Sequence, residues 1–489
     1  MIKNVINKNA SIKILAFIFC LWHHQSGIAE VKLPAIVSSN MVLQRNAHVL
    51  LWGWADINEK MTIKASWLKE ELSLKADKEG KWQIELKTTN SKESQSIRIK
   101  SKESDIFLVN ILFGEVWLCS GQSNMQMPVK GFFGQPAYGS EMAIAKSNNP
   151  NLRLFTVDRI GSKTPKIDLE KFISWQPASP DNVQGFSAVA YYFGEQLQKI
   201  LDVPVGIIHT SWGASTVQAW MSKEALNSFQ NINIDDLDIK SKPNTIPTAL
   251  FNAMINPIIP FKIRGALWYQ GEANRKEPEN YKLLFPAMVK DWRDRWAIGD
   301  FPFYYVQIAP FIYGGNSPNR SDVNSAYMRE AQLYCLDSIP NSGITITIDI
   351  GDQNSIHPPK KKEVADRLLF NALKNTYGYA AIECVAPMYQ SYQIKDNGII
   401  LKFKNNELGL YSYSPLESFE IAGSDKVFYP ALAKIINNKE IFVLSDKVSS
   451  PIAVRYAWDN WVMGTLFGSN LLPVSSFRTD NWPDVNILK

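Results

Sequence analysis

The stretch Phe113-Gly114-Glu115-Val116-Trp117-Leu118-Cys119-Ser120-Gly121-Gln122-Ser123-Asn124-Met125-Gln126-Met127 decides how the chain folds. Its apolar run Val116 to Cys119 has the length of a buried strand, and it breaks off at Ser120-Gly121-Gln122-Ser123-Asn124, residues that favour a turn. Ser123 therefore stands just past a strand end. An open parallel sheet gathers its ligands beyond the carboxyl ends of its strands, so a hydroxyl on a tight glycine-containing turn there faces substrate. An ordinary surface turn uses the same residues, and the stretch gains meaning only from partners elsewhere in the chain.

Downstream the rhythm is strand, loop, helix. Apolar runs at 115–119, 152–157, 205–210, 264–268, 303–308 and 343–349 read as strands, and helical periodicity recurs at 187–200, 247–256, 281–296, 325–336 and 361–374. Such alternation predicts an α/β domain over 111–386 with a mainly parallel sheet covered on both faces. Upstream, over 30–110, short alternating runs such as Val49-Leu50-Leu51-Trp52 and Trp82-Gln83-Ile84-Glu85-Leu86 predict an antiparallel β-sandwich. Alternating runs return over 387–489, including Ile399-Ile400-Leu401-Lys402-Phe403, so a second antiparallel β module closes the chain. The polar segment 230–244 reads as an exposed loop.

Length and composition agree with several domains: 489 residues with 45% hydrophobic content supply a large core. Lys and Arg total 52 against 47 acids, too even a balance for a nucleic-acid footprint. Abundant Trp (15), Tyr (18) and Phe (24) suit carbohydrate surfaces as well as a large core. Residues 1–29 carry Lys3, Lys8 and Lys13, then the apolar run Ile14 to Trp22, then Gly27-Ile28-Ala29, which is the plan of a cleaved signal peptide. The run is too short to span a bilayer, so the expectation is a secreted or periplasmic protein with no membrane anchor after cleavage. Cleavage removes three lysines and no acids, taking the net charge from +5 to +2. Cys119, Cys335 and Cys384 remain, enough for at most one pair, and their wide spacing gives no metal signature.

A serine hydroxyl needs a base and donors for the developing oxyanion. Of the five histidines, His23 and His24 leave with the leader and His48 lies in the first β region. His209 sits inside the apolar strand Val205-Gly206-Ile207-Ile208-His209-Thr210 and reads as a core residue with a buried partner. His357 stands in the polar loop Asp349-Ile350-Gly351-Asp352-Gln353-Asn354-Ser355-Ile356-His357-Pro358 past the last strand, on the same rim as Ser123. Two more strand ends, Trp212-Gly213-Ala214-Ser215 and Trp268-Tyr269-Gln270-Gly271-Glu272-Ala273-Asn274, supply a glycine N–H and an asparagine amide.

Four ordered blocks, GQSNM at 121–125, HTSWGAS at 209–215, WYQGEAN at 268–274 and DIGDQNSIHP at 349–358, resemble those of the sialate O-acetylesterase family of SGNH-type hydrolases. The likeness extends to residues 282–293, to Arg329-Glu330-Ala331-Gln332, to 455–458 and to the tail from Phe477. It implies a flavodoxin-like α/β hydrolase domain flanked by β modules, removing O-acetyl groups from sugars without metal or other cofactor. Carried over by position, Ser123 is the nucleophile and His357 the base, and the oxyanion donors are Gly213, Asn274 and the N–H of Ser123 itself. Gln122, Trp212, Gln270 and Arg275 are the residues expected near substrate, Arg275 as a guanidinium for a sialic acid carboxylate. The chain departs from the family in having Ala214 after Gly213, and Asn354 where many relatives carry the aspartate three residues before the histidine. That leaves Glu272, Asp352 or no carboxylate to orient His357.

The expected partner is thus an O-acetylated carbohydrate, with sialic acid or a neutral polysaccharide such as acetylated xylan as the sugar. Two other classes fit parts of the sequence. One is a glycan-binding protein without chemistry, and the other a glycosidase built on paired carboxylates such as Asp349 and Asp352.

Overall fold

The computed structural model describes residues 30–230, 232–234, 238–313 and 323–482. The expected leader, part of the polar loop at 230–244 and the end of the tail lie outside the described residues.

The middle of the chain forms a seven-stranded sheet. Its strands are β1 (Asp105–Gly121), β2 (Asn149–Val157), β3 (Phe172–Ala178), β4 (Val205–Ser211), β5 (Gly265–Tyr269), β6 (Phe303–Val306) and β7 (Ser342–Thr345). They lie in the order β7-β6-β5-β1-β4-β2-β3, parallel throughout except for β3, which pairs antiparallel with β2 at one edge. Setting aside the β2–β3 edge, the remaining five follow the 2-1-3-4-5 order of flavodoxin-like sheets. The connections run in opposite directions on either side of β1. That reversal opens a crevice at its carboxyl end, where Ser123 lies.

The sheet is buried on both faces, and β4, β5 and β6 are buried at every position. On one face Trp117, Cys119, Leu267, Tyr269, Tyr304 and Val306 pack against the helices Ala188–Leu201 (α1) and Lys361–Asn371 (α4). On the other, Val116, Leu118, Ala266, Trp268, Phe303 and Tyr305 meet Pro278–Trp296 (α2) and Ala326–Ser338 (α3). The helices have local reasons to begin and end where they do. Ser187 caps α1 by accepting from Ala190 N at 3.2 Å, and Pro278 opens α2 where no backbone donor is needed.

β1 departs most from the expected layout. It runs 17 residues through position 110 without interruption. Its first part pairs antiparallel with Gln95–Lys100, its middle runs parallel to Val42–Gln44, and its last seven residues lie between β4 and β5. The boundary expected at 110 is therefore the interior of a strand, and the first β region is fastened to the sheet by continuous backbone. Other differences are smaller. β6 and β7 end at Val306 and Thr345, short of 308 and 349, and the helix expected over 247–256 is a single π-turn, Phe251–Ile255.

The C-terminal residues form two antiparallel four-stranded sheets and a short two-stranded ladder. Buried Arg329 of α3 holds them to the core by donating to Ser476 Oγ (2.7 Å), Ala457 O (3.1 Å) and Asp459 O (2.6 Å). Cys119, Cys335 and Cys384 are all free and buried, and burial raises each thiol pKa.

Gly121 ends β1 at φ 139°, where a Cβ would stand 2.2 Å from Tyr269 O on the neighbouring strand. Gly121→Ala is expected to lower stability by about 2–4 kcal/mol through strain and clash together. Gly185→Ala, with open space around it, should change little, and urea denaturation of the two variants checks the contrast.

Candidate active site

Because the strands are parallel, the turns after β1, β4 and β5 and the loop after β7 meet at one rim. Gln122 turns sharply after Gly121, its N–H donating to Tyr269 O at 2.9 Å, and Ser123 opens the one-turn helix Ser123–Gln126. Ser123 is half-buried. Gly213 packs on it so closely that an added Cβ would lie 3.3 Å from Ser123 Cβ. The Gly213 N–H, expected as an oxyanion donor, is held by Gln126 Oε1 at 2.7 Å.

Amide side chains fasten the turns to one another. Gln122 Oε1 accepts from Gly271 N (3.3 Å) and Ala273 N (3.2 Å), and Gln270 Nε2 donates to Ser215 O (3.0 Å) and Asn274 Oδ1 (2.7 Å). Both glutamines, expected at the substrate, are instead buried braces at 3% and 0% exposure. Val217 N also donates to Asn274 Oδ1, at 2.9 Å, which fixes the amide so that Nδ2 is the donating end, and one of its hydrogens goes to Gln218 Oε1 at 2.9 Å. Trp212 is half-buried against the core, its backbone N–H donating to Gly121 O at 3.1 Å. The Arg275 guanidinium lies over the Tyr313 ring, 4.3 Å from its centroid.

Asn124 is the residue the sequence reading passed over. Fully buried, it donates from Nδ2 to Glu272 Oε1 (2.6 Å) and to Ile356 O (3.0 Å), and its Oδ1 accepts from Lys361 Nζ (2.5 Å). The neighbours of Ser123 and His357 are thereby joined, which places the two on the same rim. Burial raises the pKa of Glu272 and pulls that of Lys361 down to about 7, against the opposing pull each charge exerts on the other.

His357 is held by a partner the sequence did not suggest. Its Nδ1 lies 2.5 Å from Gln135 Oε1, which also accepts from Ser355 Oγ at 3.2 Å, and the Phe132 ring packs edge-on at 5.2 Å. An amide oxygen only accepts, so the proton sits on Nδ1 and Nε2 keeps the lone pair a base needs. Neither carboxylate expected to orient the ring does so. Glu272 is engaged with Asn124, and Asp352 Oδ1 accepts the backbone N–H groups of Asn354 (2.8 Å) and Ser355 (3.2 Å) within its own loop. Burial, and next the charge of Lys361, draw the His357 pKa from 6.5 to about 4, so the ring is neutral at pH 7. His209 is a core histidine, with Nε2 2.6 Å from Ser211 Oγ and Phe186 against its ring.

The family model described as carbohydrate esterase, sialic acid-specific acetylesterase, matches residues 113–365, the segment that holds the sheet and all four loops. Human sialate O-acetylesterase is 27% identical over 491 residues, covering 90% of each chain. The mouse sialate O-acetylesterase is 30% identical over 407 residues, 72% of this chain and 74% of the relative. Among solved structures, a carbohydrate acetylesterase from Xanthomonas citri superimposes with a TM-score of 0.83 at 32% identity, covering 92% of this chain and 100% of that one.

The His357 pKa has a thermodynamic consequence. With a folded value near 4 against an ordinary 6.5, the unfolded chain binds more protons in between, so this residue's contribution to stability falls as pH drops through that window. Lys361→Met removes the charge but not the burial, and the His357 C2 proton observed by NMR should then titrate above 4 and below 6.5. An unchanged midpoint would show that Lys361 exerts no field on the ring.

Proposed function

Since this chain belongs to the sialic acid-specific acetylesterase family of carbohydrate esterases, and is accordingly a carboxylic ester hydrolase that acts on acetylated carbohydrate, we propose that it does so through an acyl-enzyme on Ser123. In this reading Ser123 Oγ attacks the acetyl carbonyl while His357 Nε2 takes its proton. The tetrahedral oxygen is received by the N–H groups of Ser123 and Gly213 and by the Asn274 Nδ2 hydrogen not used by Gln218. The imidazolium then protonates the departing sugar oxygen as its bond to the acyl carbon breaks, and the sugar leaves as the free hydroxyl. Water, deprotonated by the same nitrogen, attacks the acetyl-serine, acetate leaves, and Ser123 regains its proton. For the oxygen to reach Gly213, Gln126 Oε1 has to give up that N–H. The observation that carries the reading is the Asn124 bridge between the neighbours of Ser123 and His357.

We read the domain as SGNH-type, exported by its leader. The proposed substrate is an O-acetylated sialic acid, the sugar named in the family description and in the mammalian relatives. Arg275, beside the oxyanion loop and stacked on Tyr313, is the residue proposed to meet its carboxylate. A neutral acetylated polysaccharide is the second reading: the Xanthomonas citri enzyme, 32% identical over 92% of this chain, is described as a carbohydrate acetylesterase with no sialic acid named. Acetate release from O-acetylated sialoside and from acetylated xylo-oligosaccharide, compared at equal concentration, decides between them.

Ser123→Ala is expected to lower kcat on either ester by about 10⁴-fold or more, and retention of most of the wild-type rate would remove it from the mechanism. Asn274→Ala should cost about 10²–10³-fold in kcat. A base with pKa about 4 is neutral above that pH, so the acid limb of kcat/KM should lie near pH 4 to 5, roughly two units below an ordinary histidine limb.

A further inference from the structure

The segment that supplies Gln135 forms a tight turn. Gln135 N donates to Phe132 O at 2.9 Å and Gly131 N to Pro128 O at 2.8 Å. Gly131 and Gly134 hold φ of 82° and 70°, and a Cβ on Gly131 would lie 2.4 Å from Gln135 O. Both ends of the turn grip the base, Phe132 through its ring and Gln135 through its amide. Three residues further on, Tyr138 N donates to Pro359 O at 3.0 Å, so the segment is seated along the His357 loop on both sides of the histidine.

At the tip, between these two residues, stands Phe133. Its relative exposure is 105%, the highest of any large apolar side chain among the described residues. A phenyl ring wholly in water contributes nothing to the core, whereas Phe132 next to it is packed. The turn therefore holds one aromatic on the imidazole and presents the next residue's ring to solvent.

We propose that Phe133 is a stacking platform for a pyranose ring of the acetylated glycan, either the sugar that carries the acetyl group or its neighbour in the chain. A pyranose presents a face of C–H groups while its hydroxyls point outward. A flat apolar ring removes that face from water and gains dispersion contact without demanding a hydrogen-bond pattern. The geometry fits a glycan, because an acetyl group entering between Ser123 and His357 trails its sugar across the rim where the turn stands. This rests on the reading of the site as a sugar O-deacetylase. It adds a binding element on a segment distinct from the four loops.

Two measurements on the full chain test it. In the first, kcat/KM is measured for acetylated xylo-oligosaccharide, O-acetylated sialoside and 4-nitrophenyl acetate, the last carrying no sugar. Phe133→Ala should lower the ratio of sugar ester to 4-nitrophenyl acetate by about three- to tenfold, mainly through KM, for one of the sugars, and Phe133→Trp should restore it. An equal loss on all three esters would mean that the turn only positions His357 and would overturn the proposal. So would an unchanged ratio, including one accompanied by altered self-association in sedimentation. In the second, the same glycans are titrated calorimetrically into Ser123→Ala protein with and without Phe133→Ala. Binding weakened about three- to tenfold by loss of the ring supports the platform even if Ser123 proves not to be the nucleophile, and equal affinity refutes it even if Ser123 is.

Discussion

The rim depends on the buried carboxamide of Asn124. It joins segments 148, 232 and 237 residues away in the chain, through Glu272, Ile356 and Lys361. Water does not reach it, so every bond it loses leaves an unsatisfied polar group in a place where none can be replaced. Its partners are costly in themselves: one oxygen of Glu272 is buried without a hydrogen bond, and Lys361 has lost much of its hydration. Such a cluster is a poor source of stability, since apolar residues of the same volume would serve as well. It holds one geometry, because removing any one member strands the others. The serine turn and the histidine loop are thereby fixed relative to each other by a contact between their neighbours, with the side chains of Ser123 and His357 outside the bridge.

Elsewhere on the rim amides do the work that charges often do. Gln122, Gln126, Gln135, Gln270 and Asn274 each bridge two segments or hold a specific donor. For His357 the substitution of an amide for a carboxylate has a definite effect. Gln135 fixes the tautomer and ring direction as a carboxylate would, yet brings no negative charge to stabilise the imidazolium. With burial and Lys361 acting against protonation too, the proposed base is weak but in its neutral form at pH 7. In the proposed mechanism that arrangement favours proton removal at low pH over strength.

What the sequence disclosed follows from periodicity. β5 and β6 are apolar end to end and β4 opens on the apolar run Val205 to Ile208, and each run gives way to polar residues, so the strands and the rim they define were legible without coordinates. Three features were not. Residue 110 looks like a boundary because exposed and buried positions mix before it and every residue from Ile111 to Gly121 is buried after it. The chain there changes partners without leaving the strand. Lys361 was hidden differently. It stands in the run Lys360-Lys361-Lys362, which reads as a solvated patch, and only the register of α4 decides that the middle lysine turns inward. Gln135 carries no chemical signature at all, being one polar residue in a glycine-bracketed turn, and its role exists only through contact.

The two histidines of the α/β region show why geometry has to settle what pKa cannot. Burial draws both His209 and His357 down to about 4, so the shift does not distinguish a base from a core residue. Their positions do. His209 lies opposite Cys119 in the β4–β1 ladder, on the face covered by α1. Its Nε2 is committed to Ser211 two residues on. His357 has its Nδ1 satisfied and lies half-buried beyond the strand ends. A base serving substrate at the rim has to stand beyond the strand ends, and of the two only the loop histidine does, because a strand residue points squarely into one covered face of the sheet.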